Sequence, residues 1–173
     1  MKKKITALVM AAAMCLSVAA CGSDNGGSGD TAKDTYTVGI CQLVQHQALD
    51  AATQGFKDAL KEELGDKVEF VEQNAANDIP TCGTICNGFV SDGVDLILAN
   101  ATPALQAATA ATQSIPILGT AVTEYGVALD IENFSGTVGG NVSGTSDLAP
   151  LDQQAAMFSE LLPDAPLFNT EYR

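Results

Sequence analysis

The side chains in this chain of 173 residues with the most reactive chemistry are five cysteines and a single histidine, His46. Cys21 directly follows Val18-Ala19-Ala20 at the end of an apolar run. Small residues there fit a processing peptidase and the thiol takes a diacylglycerol, so the match to a bacterial lipobox makes Cys21 the expected lipidation site. Cys15 lies in the leader. Cys82 and Cys86 stand four apart, on one face of a helix. No His or further Cys is near them in sequence to complete a tetrahedral zinc set, so they read as small buried apolar residues and no metal site is expected. With Cys41 they leave an odd number of thiols, which is unusual for an exported protein. Histidine is a side chain that can act as a general base, but no Ser or Cys is spaced to form a triad with His46. It reads as an N-terminal helix residue facing solvent or the rim of a cleft.

The motifs of enzyme chemistry are missing. There is no Gly-x-Ser-x-Gly elbow, phosphate-binding loop, dinucleotide glycine fingerprint or His-Glu-x-x-His. Gly-Thr-Val-Gly-Gly at Gly136 to Gly140 follows no strand and opens no helix, so it reads as a turn. Neither an enzyme nor a bound cofactor is expected.

What remains is a set of neutral donors and acceptors, and the elements that hold them follow from periodicity. Tyr36 to Cys41 is a β-rich run, and His46 to Leu64 carries Leu49, Ala52, Phe56, Leu60 and Leu64 at helical spacing. Gly65 ends that helix. Val68 to Val71 reads as a second strand. A second helix starts at the N-cap Asp78, with Pro80 in its first turn, and Gly93 closes it. Asp95 to Ala99 is a third strand, Thr102-Pro103 caps and starts a third helix, and Ile115 to Gly119 is a fourth strand. Strands separated by single helices predict an α/β, Rossmann-like lobe, a parallel sheet with helices on both faces. Ligands of such sheets sit outside the carboxyl ends of the strands. Here those ends are the loops Gln42 to Gln47, Glu72 to Asn77, Asn100 to Thr102 and Thr120 to Glu124. Past the Gly-rich stretch Gly126 to Gly140, the spacing predicts a strand at Asn141 to Thr145, a helix at Gln153 to Leu162 and a further strand at Leu167 to Asn169. A domain boundary is expected between about residues 124 and 150.

The first residues address the chain. Lys2, Lys3 and Lys4 precede an uncharged stretch from Ile5 to Ala20, shorter than the roughly 20 apolar residues of a membrane span and ending in small residues, as an export signal does. The Gly/Ser/Asp segment after Cys21 reads as a tether that holds a domain roughly 20 Å from the membrane, with two acyl chains as a stable anchor. The expected divisions are thus a lipoprotein signal peptide (1–20), a tether (21–35), an N-terminal α/β lobe (36–124), and a crossover with the start of a second lobe (125–173). Removing residues 1–20 leaves five Lys+Arg against 21 Asp+Glu, a net formal charge of −16. So acidic a chain lacks the basic footprint of a nucleic-acid binder. Its hydrophobic content of 46% with regular periodicity excludes disorder.

Five segments together resemble the TrpX-like family of ABC transporter substrate-binding proteins: Gln42 with His46-Gln47-Ala48-Leu49-Asp50, Gln73-Asn74-Ala75, Ala101-Thr102-Pro103-Ala104, Thr120-Ala121-Val122-Thr123 and Asn141 to Asp147. The resemblance implies a type I periplasmic-binding fold and a lipid-anchored, extracytoplasmic protein. Such a protein hands a small solute, an aromatic amino acid in some members, to ABC permease and ATPase subunits. It implies that Gln42, His46, Asn74, Thr102, Thr123, Thr145 and Asp147 face the ligand. Three positions depart from the family pattern: Gln47 replaces a Pro, Asn100 an apolar residue, and Glu124-Tyr125 an Asp-Pro pair. Asn100 would add an amide to the cleft and Tyr125 a phenol. Proteins of this family run on for well over a hundred residues, so this chain is expected to be a fragment or an early-terminated reading frame with its second lobe only begun. An exported enzyme or a ligand-sensing surface module on the same fold is the alternative.

Overall fold

The computed structural model describes residues 33–162. The signal segment, Cys21, most of the tether and the strand expected at Leu167 to Asn169 lie outside them. The described elements run β1 (Tyr36–Gln42), α1 (Gln47–Leu64), β2 (Val68–Asn74), α2 (Ile79–Asp92), β3 (Leu96–Asn100), α3 (Thr102–Ala111), β4 (Ile117–Val122), α4 (Tyr125–Ala128), β5 (Val142–Ser146) and α5 (Leu151–Leu161). The five strands form one sheet in the order β2-β1-β3-β4-β5, and every neighbouring pair is parallel.

Side-chain parity assigns the two faces. Val38, Ile40, Val68 and Leu98 point to one side, where α1 covers them with Phe56, Leu60 and Leu64. Cys41, Ile97, Ala99 and Ile117 point to the other, against Cys82, Ile85, Cys86 and Phe89 of α2 and Ala104, Leu105 and Ala108 of α3. Because both faces are covered, Val38 to Gln42 is buried without interruption, as in parallel sheets generally. The tightest approach is at Gly39, where an added Cβ would lie 2.7 Å from the fully buried ring of Phe89. Glycine there lets α2 settle onto the sheet.

The helix ends follow local chemistry. Asp78 caps α2 by accepting from the Thr81 N–H at 3.0 Å, and Gly93 closes it in the left-handed conformation with its N–H on Phe89 and Val90 carbonyls. His46 lies just outside α1 as its N-cap, Nδ1 accepting from the Ala48 N–H at 3.2 Å.

Several expectations need correction. β2 continues to Asn74 instead of stopping at Val71, which shortens the loop expected at Glu72 to Asn77. Thr102 is not the cap of α3: the cap is Ala101, and Thr102 is already helical. A short helix, α4, starts after Glu124, whose carboxylate accepts from the Gly126 and Val127 N–H groups at 2.8 and 2.7 Å. Finally Val142–Ser146, which the sequence reading places in the crossover after residue 124, is the fifth strand of this sheet and pairs with β4. The described sheet therefore extends to Ser146.

Candidate functional site

The strand order reverses between β1 and β3: the chain steps from β1 outward to β2, then returns to the other side of β1 to lay down β3. In open α/β sheets a crevice forms outside the carboxyl ends at such a switch point. Gln42 and Asn100 are the last residues of β1 and β3 and stand in register with each other. The loops on either side lead to His46 and to Thr102.

Neither Gln42 nor Asn100 offers its amide to that crevice. Gln42 is 3% exposed and Asn100 fully buried. Parity turns both towards α1. Gln42 Nε2 donates to Asp50 Oδ1 at 2.6 Å and to the Val44 carbonyl at 3.0 Å, and its Oε1 accepts from Thr53 Oγ1 at 2.7 Å. Asn100 Nδ2 donates to the Leu49 carbonyl and to Thr53 Oγ1, both at 2.8 Å, and more distantly to Gln42 Oε1 at 3.4 Å. Among the described residues, Asn100 Oδ1 is the buried side-chain polar atom that lacks a hydrogen-bond partner. These contacts brace the first two turns of α1 against the strand ends, and so fix where His46 stands. Thr53 and Asp50 complete the brace. Helical spacing from His46 puts them on the sheet-facing side, the one sequence signal they carry.

The other six residues are open to solvent or partly so, and lie along the carboxyl edge. His46, Asn74, Thr123, Thr145 and Asp147 are exposed and Thr102 is half-buried. Asn74 Oδ1 accepts from the Ala76 N–H at 2.8 Å, which shapes the loop into α2. Asp147 is held by its own N–H on the Val122 carbonyl at 3.0 Å, and Ser146 Oγ donates to the Thr123 carbonyl at 2.7 Å. Tyr125, expected at the cleft, is buried with its hydroxyl donating to the Thr145 carbonyl at 3.3 Å. Burial, and then the charge of Asp147, push its phenol up. Gly119 and Gly144 give that ring room, since an added Cβ at either would collide with the hydroxyl.

The helices that start at this edge differ in one respect. α1, α2 and α4 have side-chain caps in His46, Asp78 and Glu124, whereas no side chain caps α5 or, at the switch point, α3. Its cap residue Ala101 sits at φ 92°, ψ 156°, a backbone region that costs of order 1–3 kcal/mol for a residue with a Cβ and that concentrates at functional sites. Ala76, Asn77 and Ala121, at the same edge, also have positive φ. Uncapped helix N-termini carry unpaired N–H groups that attract anionic groups, and Thr102, the first residue of α3, sets its hydroxyl beside this one.

Among the described residues no group of His, Cys, Asp and Glu has the arrangement of a metal site, and no helix is long and apolar enough to cross a membrane. A cavity of ≈ 620 Å³ beside β5, lined among others by Tyr125, Phe134, Val142 and Leu148, lies away from the switch point and contains none of the eight expected residues.

Comparison with known proteins agrees with this architecture. The tyrosine-binding protein of Clostridioides difficile (strain R20291) is 40% identical over 183 residues, covering 98% of this chain and 52% of that protein. The chain therefore spans about half the length of the curated relative it matches. The ligand-free, open structure of a substrate binding protein with adhesive properties from Clostridium difficile superposes with a TM-score of 0.68 at 42% identity, covering 76% of this chain and 45% of that one. An ABC domain in complex with L-Trp from Streptococcus pneumonia gives a TM-score of 0.68 at 32% identity, covering 75% and 44%. Residues 37–168 match the family described as ABC transporter substrate binding protein, and this parallel α/β lobe belongs to that family.

Proposed function

We propose that this lobe is one half of an extracytoplasmic solute-binding lipoprotein that delivers an amino acid, with an aromatic one as the leading candidate, to an ABC importer. The observation that carries this reading is the uncapped N-terminus of α3 beside Thr102, at the edge of the switch point. The α-carboxylate of an amino acid fits those N–H groups and the hydroxyl. Its ammonium has a counter-charge in Asp147, and His46, Asn74, Thr123 and Thr145 supply further donors and acceptors. Gln42 and Asn100 act behind this set by holding α1 in place. No Lys or Arg stands among these residues, which disfavours phosphate esters and other strongly anionic solutes. The relatives whose names specify tyrosine and L-Trp support the aromatic class. The segment after Ser146 is read as the crossover to a second lobe that closes over the ligand, and the protein as a binding subunit without catalysis.

In the protein with both lobes, Thr102→Ala weakens amino-acid binding by about 1–2 kcal/mol, through loss of one hydrogen bond to a charged group. A thermal-shift screen should respond to zwitterionic amino acids and not to sugars. A sugar as the strongest stabiliser, with Thr102→Ala inert, would remove both the ligand class and the role of this helix end.

The anchor has its own test. Lipidation at Cys21 sends the expressed protein to the membrane fraction, and Cys21→Ser releases it or stalls its processing. A wild-type chain found free and unmodified outside the cell would rule the anchor out.

A further inference from the structure

One helix of the lobe has nothing to lie on. α5 has no buried residue, and six of the nine large hydrophobic side chains exposed among the described residues fall between Leu148 and Leu162, so the exposed apolar surface is concentrated here. Leu151, Ala155, Phe158 and Leu162 recur at helical spacing along one stripe, with Asp152, Ser159 and Glu160 on the opposite side. Eleven residues without a side-chain cap are too few to hold a helix in water, where about 12–15 are still marginal. Such a helix needs a surface. The sheet offers one, because α1 packs over Val38, Ile40, Val68 and Leu98 of the first three strands while α2 and α3 pack on the other face. On the α1 side, β5 and the outer part of β4 are bare, although parallel sheets are ordinarily covered on both faces. A groove of ≈ 380 Å³ lies there, with Leu98 and Leu118 as its floor, Phe56 of α1 as one wall, and Thr120, Ser143 and Thr145 along the other side.

We propose that two copies of this chain exchange α5, each laying its apolar stripe into the groove of the other. The connector keeps the helix from its own groove. Asp147 to Pro150 alone separate it from β5, Asp147 is held by its N–H on the Val122 carbonyl at 3.0 Å, and Pro150 restricts Ala149 before it. Short connectors that hold an element off its own lobe favour exchange between identical chains. A two-fold exchange covers both surfaces of each copy and leaves no open end from which a filament could grow. The lengths agree, since a helix of eleven residues and a strand of five each span about 16 Å. The helix, Leu148 and the eight residues that line the groove come to about 20 on each copy, the lower end of what a stable interface uses. α5 carries two carboxylates and no Lys or Arg, which disfavours an anionic membrane surface as the occupant. Charge opposes the pairing, because without residues 1–20 each copy carries a formal −16, and the two repel until salt screens them. In the functional reading a second lobe competes for the same stripe. The proposal is for the chain of 173 residues and takes nothing else from that reading.

The test is sedimentation equilibrium of the processed chain, residues 21–173 with Cys21→Ser to keep it free of lipid, between about 1 and 100 µM protein. The expected mass is that of two copies at the upper end and falls towards one copy at the lower, with tighter association at about 1 M salt than at about 0.15 M. The sequence has no Trp, so Phe158→Trp reports on the stripe alone, and its emission shifts to the blue as the dimer forms. Phe158→Glu and Ser143→Glu each weaken the dimer about 30-fold or more, the effect of losing a central contact. Both positions are exposed in the single chain, so neither change unfolds the lobe. Val127→Glu adds the same charge at an exposed site on α4 and leaves association unchanged. A single-copy mass at every concentration and salt would overturn the proposal. So would a dimer that Ser143→Glu leaves intact, since α5 would then pair only with α5. A blue-shifted emission independent of concentration would place the helix in its own groove and overturn it too. No ligand enters these measurements, so the exchange and the transport reading fail independently.

Discussion

Titrated with tyrosine or tryptophan, the chain of 173 residues should show no saturable binding below about 1 mM, whereas the same lobe joined to a second one should bind at about 1 µM or tighter, a gap of about 4 kcal/mol. The reason is geometric. Small-molecule sites bury about 70–90% of the ligand surface. The residues proposed to meet the ligand lie along one edge of one sheet, and five of the six are exposed. An amino acid resting on that edge would keep its side chain and one face in water. Its contacts would be a few hydrogen bonds made in competition with solvent, each worth about 1 kcal/mol net, and they would be set against the cost of immobilising the ligand. Closure of a second lobe removes that competing water and adds the missing face. Calorimetry on the purified chain decides the matter. A micromolar dissociation constant would show that one carboxyl edge suffices, and the two-lobe mechanism would have to be dropped.

Much of this lobe is legible in the sequence because its determinants are local. Asp78 three residues before Thr81, Gly65 and Gly93 after amphipathic runs, and strands spaced about thirty residues apart each act within a few residues of themselves, and the observed elements follow them. β5 is different. Its membership of the sheet depends on pairing Ile117 with Val142 across an irregular, glycine-rich connection. No periodicity spans that gap, and the sequence alone pointed to a new unit.

The site divides in the same way. That Gln42, His46, Asn74, Asn100 and Thr102 gather at one edge follows from the order of strands and helices. The direction each side chain takes does not. A half-buried strand would reveal its faces by alternation, but from Val38 to Gln42 burial is continuous, so nothing in the sequence shows that Gln42 turns towards α1. At Thr102-Pro103 a good capping pair misleads by one position. The backbone turns at Ala101 with φ 92°, a conformation that no propensity favours and that the surrounding packing must impose.

The Gln42–Thr53–Asn100 brace has a consequence that pH can expose. Asn100→Asp should destabilise the lobe by about 3–5 kcal/mol at pH 7, the cost of an uncompensated buried charge. Near pH 4 the loss should shrink to about 1–2 kcal/mol, the scale of impaired hydrogen bonds. At position 100 a carboxylate would face the Leu49 carbonyl and the Thr53 hydroxyl in a fully buried place, with Asp50 close by through Gln42. Burial, the Leu49 carbonyl and the nearby Asp50 carboxylate disfavour the charged form, so the folded-state pKa of the new carboxyl would lie above its unfolded value. Between those two values the folded state binds the extra proton, and stability therefore falls as pH rises through that window. In the protonated form the carboxyl O–H donates to Leu49 or Thr53 and restores one of the lost bonds. Asn100→Ala removes the same donors without introducing a charge. Relative to wild type, its loss should therefore be nearly independent of pH over the same range. Denaturant melts of the three chains at pH 4 and pH 7 provide the comparison. A loss in Asn100→Asp that stays constant with pH, as in Asn100→Ala, would mean that position 100 opens to water, and the amide would then be free to face the crevice.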